Sequence, residues 1–367
     1  MREFSVMLKP ASSLCNLRCR YCFYADVSQK RETANYGLMS RTTAYAIIAG
    51  LWKDIEEGDS LTLAFQGGEP TLAGLDFFKD FVKKAETQPK QVRLSWALQT
   101  NGILLDEDWC AFLKAKGFLV GLSLDGAAAL HNQNRVDGMG RGCFNRVMEA
   151  KRRMDAHDVD YNMLCVLTNE AARHPQKLWR FILAQNLRYI QFIPCLDALD
   201  AEEESPWALT SRRFYEFYTA LFPLWQKQAL AGNYISVKLF DDIVNQFVRG
   251  QATACGMDGQ CRPQNIVEAD GGVYPCDFYV LDAYRLGNFC DMGLHEALGN
   301  AAVSGFLQRR VILPKACERC RYQTACQGGC KRLTRAMYVG ESGFCGYRRL
   351  LDERLDALCA TGRVLLK

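Results

Sequence analysis

Short apolar runs alternate with amphipathic stretches through the first half of the chain. Phe4–Lys9, Leu61–Gln66, Arg93–Thr100, Phe118–Leu124, Tyr161–Leu167 and Tyr189–Ile193 are rich in β-branched and aromatic residues, and each has the length of a buried strand. Between them Thr42–Glu57, Leu75–Glu86, Glu107–Lys116, Phe144–His157 and Gln176–Gln185 carry helical periodicity. Strands and helices in alternation predict a parallel sheet, open or curled into a barrel. Such folds place their chemistry at the C-terminal ends of the strands. The polar residues that stand out fall at those ends: a cysteine loop after the first strand, Gln66–Pro70 after the second, Gln99–Gly102 after the third and Ser123–Gly126 after the fourth.

The pattern changes twice further on. Residues 200 to 250 read as helices, with aromatic-rich Phe214–Ala231 followed by Phe240–Val248, and their rings are expected in a core. Ala201–Ser205 reads as a solvated acidic loop. From Cys255 the periodicity fades while Cys, Gly and Pro become frequent, as in a module held together by metal more than by a large core. The expected division is 1–235 for the strand–helix domain with its connecting helices, and 236–367 for the cysteine-rich module and a C-terminal helix.

Composition narrows the class. The 367 residues are 49% hydrophobic and 23% charged, ordinary for a globular protein. A net charge of +4 is too small for a nucleic-acid footprint. No apolar run reaches the roughly 20 residues that span a bilayer, and Met1–Phe4 does not begin a signal peptide. A cytoplasmic location is therefore expected. In that reducing compartment 17 cysteines, strongly clustered, point to metal binding over disulfides.

Cys15, Cys19 and Cys22 follow a Cys-x3-Cys-x2-Cys spacing, and Phe23 comes next. Three thiolates on a short loop can hold three irons of a four-iron cluster and leave the fourth open to a small molecule. The ferredoxin run supplies a fourth cysteine close by; here the next is Cys110. The C-terminal module holds Cys255, Cys261, Cys276, Cys317, Cys320, Cys326, Cys330 and Cys345, enough for two four-cysteine sites. Gly271-Gly272 before Cys276 reads as a hairpin turn that delivers this ligand. Thiolate sites select zinc or iron–sulfur clusters; spacing does not separate the two, and the N-terminal triad favours iron. The remaining six cysteines are assigned to no cluster.

Together, Cys15–Cys22 and Gly67-Gly68-Glu69-Pro70 make the chain resemble the radical S-adenosylmethionine (SAM) enzymes. The C-terminal cysteines resemble the SPASM module, which carries two auxiliary clusters. Within that group the chain is most similar to the anaerobic sulfatase-maturating enzymes, notably through Phe65–Leu72 and Tyr274–Tyr279. The resemblance implies a partial (β/α)6 barrel with a SPASM module, and three 4Fe–4S clusters with SAM as cofactors. Cys15, Cys19 and Cys22 would hold the SAM-binding cluster. Cys255, Cys261, Cys276 and Cys330 would hold the first auxiliary cluster, and Cys317, Cys320, Cys326 and Cys345 the second. A purely sequential grouping stays open.

The reaction it implies is oxidation of a sulfatase cysteine or serine to Cα-formylglycine, begun when a 5′-deoxyadenosyl radical abstracts a hydrogen from the β-carbon. Gly67, Gly68, Glu69 and Pro70 would meet the SAM amino group, and Ser123, Arg135 and Leu196 would be further SAM contacts. Asp277, directly after Cys276, would be the base that deprotonates the target residue. Tyr24 and Gln66 would border the active site. The implied partners are an unfolded or nascent sulfatase segment with a Cys/Ser-x-Pro/Ala-x-Arg motif, and an electron donor such as flavodoxin or ferredoxin. Neither nucleic acid nor membrane is expected. Two rival readings are a different SPASM peptide maturase that forms thioether crosslinks, and a non-enzymatic iron–sulfur carrier or zinc-scaffolded binding module.

Overall fold

The computed structural model describes residues 1–303, 305–308, 313–340 and 343–365. In chain order the main elements are β1 (Glu3–Leu8), α1 (Phe23–Gln29), α2 (Arg41–Asp54), β2 (Ser60–Phe65), α3 (Leu75–Glu86), β3 (Arg93–Thr100), α4 (Glu107–Lys116), β4 (Phe118–Ser123), α5 (Ala128–Asn134) and α6 (Phe144–Ala156). β5 (Tyr161–Leu167), α7 (Pro175–Ala184), β6 (Tyr189–Pro194), α8 (Ser211–Leu230), β7 (Ser236–Val237) and α9 (Lys238–Arg249) follow. Then come β8 (Ile266–Val267), β9 (Gly272–Tyr274), β10 (Gly287–Asn288), α10 (Leu294–Val303), some single-turn helices and the C-terminal helix Gly346–Leu365. The six expected strands are present, most within a residue of their expected ends. The expected helices are present too, with shifts at their ends. Thr42–Glu57, for instance, becomes Arg41–Asp54, because Ser40 caps its start by accepting from Thr43 N.

The residues pack into two compact units, each built from separated pieces of chain. The first comprises Met1–Ser123, Asn132–Tyr161 and Pro263–Arg309. β1 to β4 lie parallel in sequence order, with Leu8 opposite Phe65, Phe65 opposite Leu98 and Leu98 opposite Val120. Alternate residues of each strand (Leu61, Leu63 and Phe65 in β2) are fully buried. Phe65 meets Phe78 and Phe81 of α3 at ring distances of 4.7 and 5.2 Å. On the other edge β8 joins β1 in parallel, pairing Met7 with Ile266 and Leu8 with Val267, and β9 folds back antiparallel on β8. Gly271 forms that turn at φ +87°, as the Gly-Gly pair predicts. Residues from beyond position 262 thus supply a hairpin alongside the first strand of the chain, and Val267, Val273 and Phe289 are fully buried there.

One ion pair anchors the start of this sheet. The Arg2 guanidinium lies 2.6 Å from Asp59, whose carboxylate also accepts from the backbone N–H groups of Arg2 and Glu56. These donors hold the Asp59 carboxyl far below the usual carboxylate range. A depressed folded pKa contributes stability above the unfolded value and loses it as pH falls toward the folded one. Asp59→Asn is therefore expected to lower the thermal midpoint at neutral pH, with the gap to wild type closing as pH drops below the ordinary carboxylate range. A gap that does not change with pH in a thermal-unfolding series would show that the pair contributes nothing.

The second unit comprises Leu124–His131, Asn162–Arg262 and Arg310–Lys367. β5, β6 and β7 are parallel. The aromatic positions of α8 are core, as expected: Phe217 packs on Phe192 at 5.0 Å, and Trp225 packs on Phe240 at 5.0 Å while donating to Ile235 O. α8 also packs against the C-terminal helix. No described helix is long and apolar enough to cross a membrane.

Candidate active site

The loop carrying Cys15, Cys19 and Cys22 leaves β1 and enters α1, with Cys22 at the N-cap. Backbone hydrogen bonds hold it from two directions. On one side Gly68 N donates to Ser12 O (2.9 Å) and Glu69 N to Leu14 O (2.7 Å). On the other, Arg18 N donates to Val136 O and Arg20 N to Asn134 O, with Leu17 bridged to Asp137. Gly68 lies so close that a Cβ there would sit 2.0 Å from Leu14 O, so only glycine fits. The Cys15 thiol is pushed up to about 11, chiefly by burial.

Glu69 is buried and its carboxylate faces the protein. Oε1 accepts from Thr71 N, Thr71 Oγ1 and Thr100 Oγ1, and Oε2 from Asn101 N at 2.7 Å. Burial raises its pKa against these donors. The side chain therefore ties the loop after β2 to the end of β3. Asn101 carries the brace onward to the cysteine loop, donating to Asn16 Oδ1 at 2.7 Å.

Asp277, Tyr24 and Gln66 come together in a buried polar group. Lys9 Nζ donates to Asp277 Oδ1 at 2.6 Å and Gln66 Nε2 donates to Oδ2 at 2.8 Å. The same Lys9 ammonium lies 3.8 Å from the centre of the Tyr24 ring. The Tyr24 hydroxyl donates to Glu268 Oε1, which also accepts from Arg31 Nη1 at 2.7 Å. Burial first, then the Glu268 charge, holds the Tyr24 phenol well above its ordinary value, so it stays neutral. Lys9, Arg31, Asp277 and Glu268 are two cations and two anions, the balance that buried charges require.

Sequence reasoning did not assign Lys9, Arg31 or Glu268 to the site. Lys9 closes an apolar strand and Glu268 follows Ile266-Val267, and a charge at the end of an apolar run is the signal that was there to find. The other candidates are spread more widely. Ser123 ends β4 and is buried. Arg135 is buried in the segment that pairs with the cysteine loop, its guanidinium 5.6 Å from the Tyr21 ring. Leu196 lies just past β6, buried in the second unit.

The remaining cysteines fall into two neighbourhoods of the second unit, with Cys276 in the first unit. Cys317, Cys320, Cys326 and Cys345 all line one cavity of about 450 Å³. Burial first, and then the neighbouring thiols, raise the Cys255 and Cys330 thiols: Cys330 and Cys261 act on Cys255, and Cys261 acts on Cys330, so the three lie near one another. Gly256 makes this approach possible, because a Cβ there would meet Cys330 Cβ at 2.8 Å. Among the described residues no three of these side chains converge on one point as a single-ion site requires. The cavity that four thiols share fits a cluster-sized group. Among the unassigned cysteines, Cys110, Cys143, Cys165, Cys195 and Cys359 are buried.

A strand-end loop of three cysteines, a glycine-rich loop docked on it and a cysteine-lined cavity define a radical SAM enzyme with auxiliary cluster sites. The profile of the radical SAM superfamily matches residues 10–182, and that of the SPASM iron–sulfur cluster-binding domain matches 259–321. The chain is 38% identical over 90% of its length to a cysteine-type anaerobic sulfatase-maturating enzyme of Clostridium novyi, covering 89% of that protein. It is 30% identical over 97% of its length to a serine-type counterpart from Klebsiella aerogenes, covering 86% of it. A solved structure described as native anSMEcpe with bound AdoMet and Kp18Cys peptide superposes with a TM-score of 0.90 at 34% identity, covering 99% of both chains. The chain belongs to the anaerobic sulfatase-maturating enzymes. Its fold is the partial (β/α)6 barrel with a SPASM module, and its cofactors are SAM and 4Fe–4S clusters.

Proposed function

We propose that this chain oxidises a cysteine in an unfolded sulfatase segment to Cα-formylglycine, with Asp277 as the base that receives the proton of the target side chain. The observation that carries this reading is the Asp277 carboxylate, held at one oxygen by Lys9 and at the other by Gln66, directly after Cys276. Each oxygen keeps acceptor capacity beyond its one bond, so the group is oriented and still able to take a proton. Lys9 cannot turn away without leaving its own charge buried.

When bound, SAM and a 4Fe–4S cluster would supply the radical chemistry that acts on the target β-carbon. Cys15, Cys19 and Cys22 would hold that cluster. Gly67 to Pro70 would present backbone groups to SAM, with Glu69 fixing their loop through its four donors. Ser123, Arg135 and Leu196 remain proposed SAM contacts. Tyr24, neutral and committed to Glu268, would position Lys9 through its ring face and line the approach to the target. Gln66 would orient Asp277. Cys317, Cys320, Cys326 and Cys345 would hold one auxiliary cluster in their cavity, and Cys255, Cys261, Cys276 and Cys330 the other.

Cysteine is favoured as the target because identity is higher to the cysteine-type relatives, at 38–39%, than to the serine-type relatives, at 27–30%. Two peptides that differ only in Cys or Ser before x-Pro-x-Arg test the reading. The reconstituted, reduced protein is incubated anaerobically with SAM and each peptide, and the products are analysed by mass spectrometry. An aldehyde trapped by a hydrazine reagent, formed faster from the Cys peptide, is expected. Deoxyadenosine with an unmodified peptide would sink the sulfatase reading in favour of another peptide substrate.

A further inference from the structure

The polar segment Gln99–Gly102 stands at a strand end, and the peptide chemistry gives its Asn101 no task. The hydrogen bonds of Asn101 fix which way its amide points. Its backbone N–H donates to Glu69 Oε2 at 2.7 Å, and its side-chain Oδ1 accepts from Ile103 N at 3.0 Å. With the oxygen held there the amide cannot be turned over, so Nδ2 faces the cysteine loop. One N–H goes to Asn16 Oδ1 at 2.7 Å. The other is left for Cys15 Sγ, 3.9 Å from Nδ2. Leu17 N approaches the same sulfur at 3.4 Å, so this member of the triad faces two N–H donors. Asn101 is only 7% exposed, and water competes little for its bonds.

A thiol is a weak acceptor, whereas the thiolate that binds metal is charged and accepts more strongly. An electron added to a cluster adds negative charge to its sulfurs. An N–H aimed at one of them therefore stabilises the reduced form more than the oxidised form. Hydrogen bonds to the sulfurs are among the factors that set an iron–sulfur potential, and partners outside the ligand shell tune a metal site by this route. Leu17 acts through its backbone. Asn101 acts through a side chain from another strand end, on a mount fixed by Glu69 and Ile103. We propose that Asn101 is a positioning residue for the SAM-binding cluster: its amide donates to the Cys15 sulfur and raises the cluster's reduction potential, which eases entry of the one electron that starts the reaction. The inference rests on Cys15, Cys19 and Cys22 as the ligands of that cluster.

An EPR-monitored redox titration of the iron-loaded protein tests this. The SAM-binding cluster is picked out from any auxiliary cluster by the change in its spectrum when SAM is added. Asn101→Leu fills the space without a donor. Asn101→Asp keeps an oxygen for Ile103 N and replaces the donor NH2 with a second acceptor. Asn16→Ala removes the 2.7 Å brace and leaves the donor to sulfur. At one applied potential the ratio of reduced to oxidised cluster is expected to fall about tenfold in Asn101→Leu, which is about 59 mV for a one-electron couple. The fall in Asn101→Asp should be at least as large, and Asn16→Ala should stay close to wild type. A merely structural role would lower iron content or the thermal midpoint and leave the potential of the loaded molecules where it was. Unchanged potentials in the two Asn101 variants would overturn the proposal, and Asn101→Asp decides where Asn101→Leu loads iron poorly. A shift in Asn16→Ala as large as that in Asn101→Leu would also overturn it, because the brace would then be the cause. A SAM-responsive signal that survives in Cys15→Ala would sink the ligand assignment and the proposal with it. Loss of that signal in Cys15→Ala, with no shift in the Asn101 variants, would sink the role of Asn101 alone.

Discussion

Asp277→Asn is expected to reduce peptide oxidation by about 10²- to 10⁴-fold, the range for loss of a general base, while SAM is still cleaved. The amide keeps the shape and can still accept from Gln66, so the geometry around the target is kept and the proton acceptor is lost. It also leaves the Lys9 ammonium buried without its partner at 2.6 Å. Breaking one side of a buried pair costs roughly 3–5 kcal/mol, so the single variant is expected to unfold earlier. Lys9→Met/Asp277→Asn removes both charges and separates the two effects. The double variant should recover most of the thermal midpoint and none of the peptide oxidation. An Asp277→Asn protein that retains more than a tenth of wild-type aldehyde formation would show that another group takes the proton. Recovery of oxidation along with stability in the double variant would reduce Asp277 to a structural partner of Lys9.

Gly68→Ala is expected to remove SAM cleavage altogether, although it adds a single methyl to a residue with no side-chain role. The added carbon would stand 2.0 Å from Leu14 O and 2.6 Å from Leu14 C, both backbone atoms that cannot rotate aside. Leu14 precedes Cys15 and also accepts the Glu69 N–H, so relief has to come from moving the cysteine loop or the loop after β2. Overpacking of this kind costs about 1–3 kcal/mol where neighbours can shift, and more where they cannot. Iron content and deoxyadenosine formation without peptide read the consequence directly. Loss of the SAM-cleaving cluster with auxiliary iron retained is the expected pattern. Wild-type deoxyadenosine formation would mean that the two loops are less tightly fitted than their backbone distances imply.

The contrast between these residues shows how far the sequence can be read. Gly68 and the cysteines were legible because their types and spacing in the chain are local. Asp277 was singled out in the sequence only through its place after Cys276 and the family resemblance. Lys9 and Glu268, each at the end of an apolar run, and Arg31, in the polar stretch Ser28–Glu32, were not assigned to the site, because a charged residue has no visible partner until the chain folds. Lys9 and Asp277 are 268 positions apart. Glu69 was expected to face an ammonium, and the four donors it meets within the protein come from residues 71, 100 and 101, two of them at the end of the next strand.

By itself the sequence determined the six parallel strands, the helices between them, the strand-end position of the cysteine loop and the types of ligand it offers. Hydrophobic period and ligand spacing are properties of neighbouring residues, and chain order preserves them. The tertiary structure alone decided that β8 pairs with β1 and β9 with β8, and that Lys9 faces Asp277, and it gathers around one cavity the four cysteines of residues 317 to 345 that the family resemblance had grouped. Two-residue strands such as β8 carry too little periodicity to predict. Their pairing depends on burying apolar residues and matching charges across hundreds of positions, which only the folded chain brings within reach.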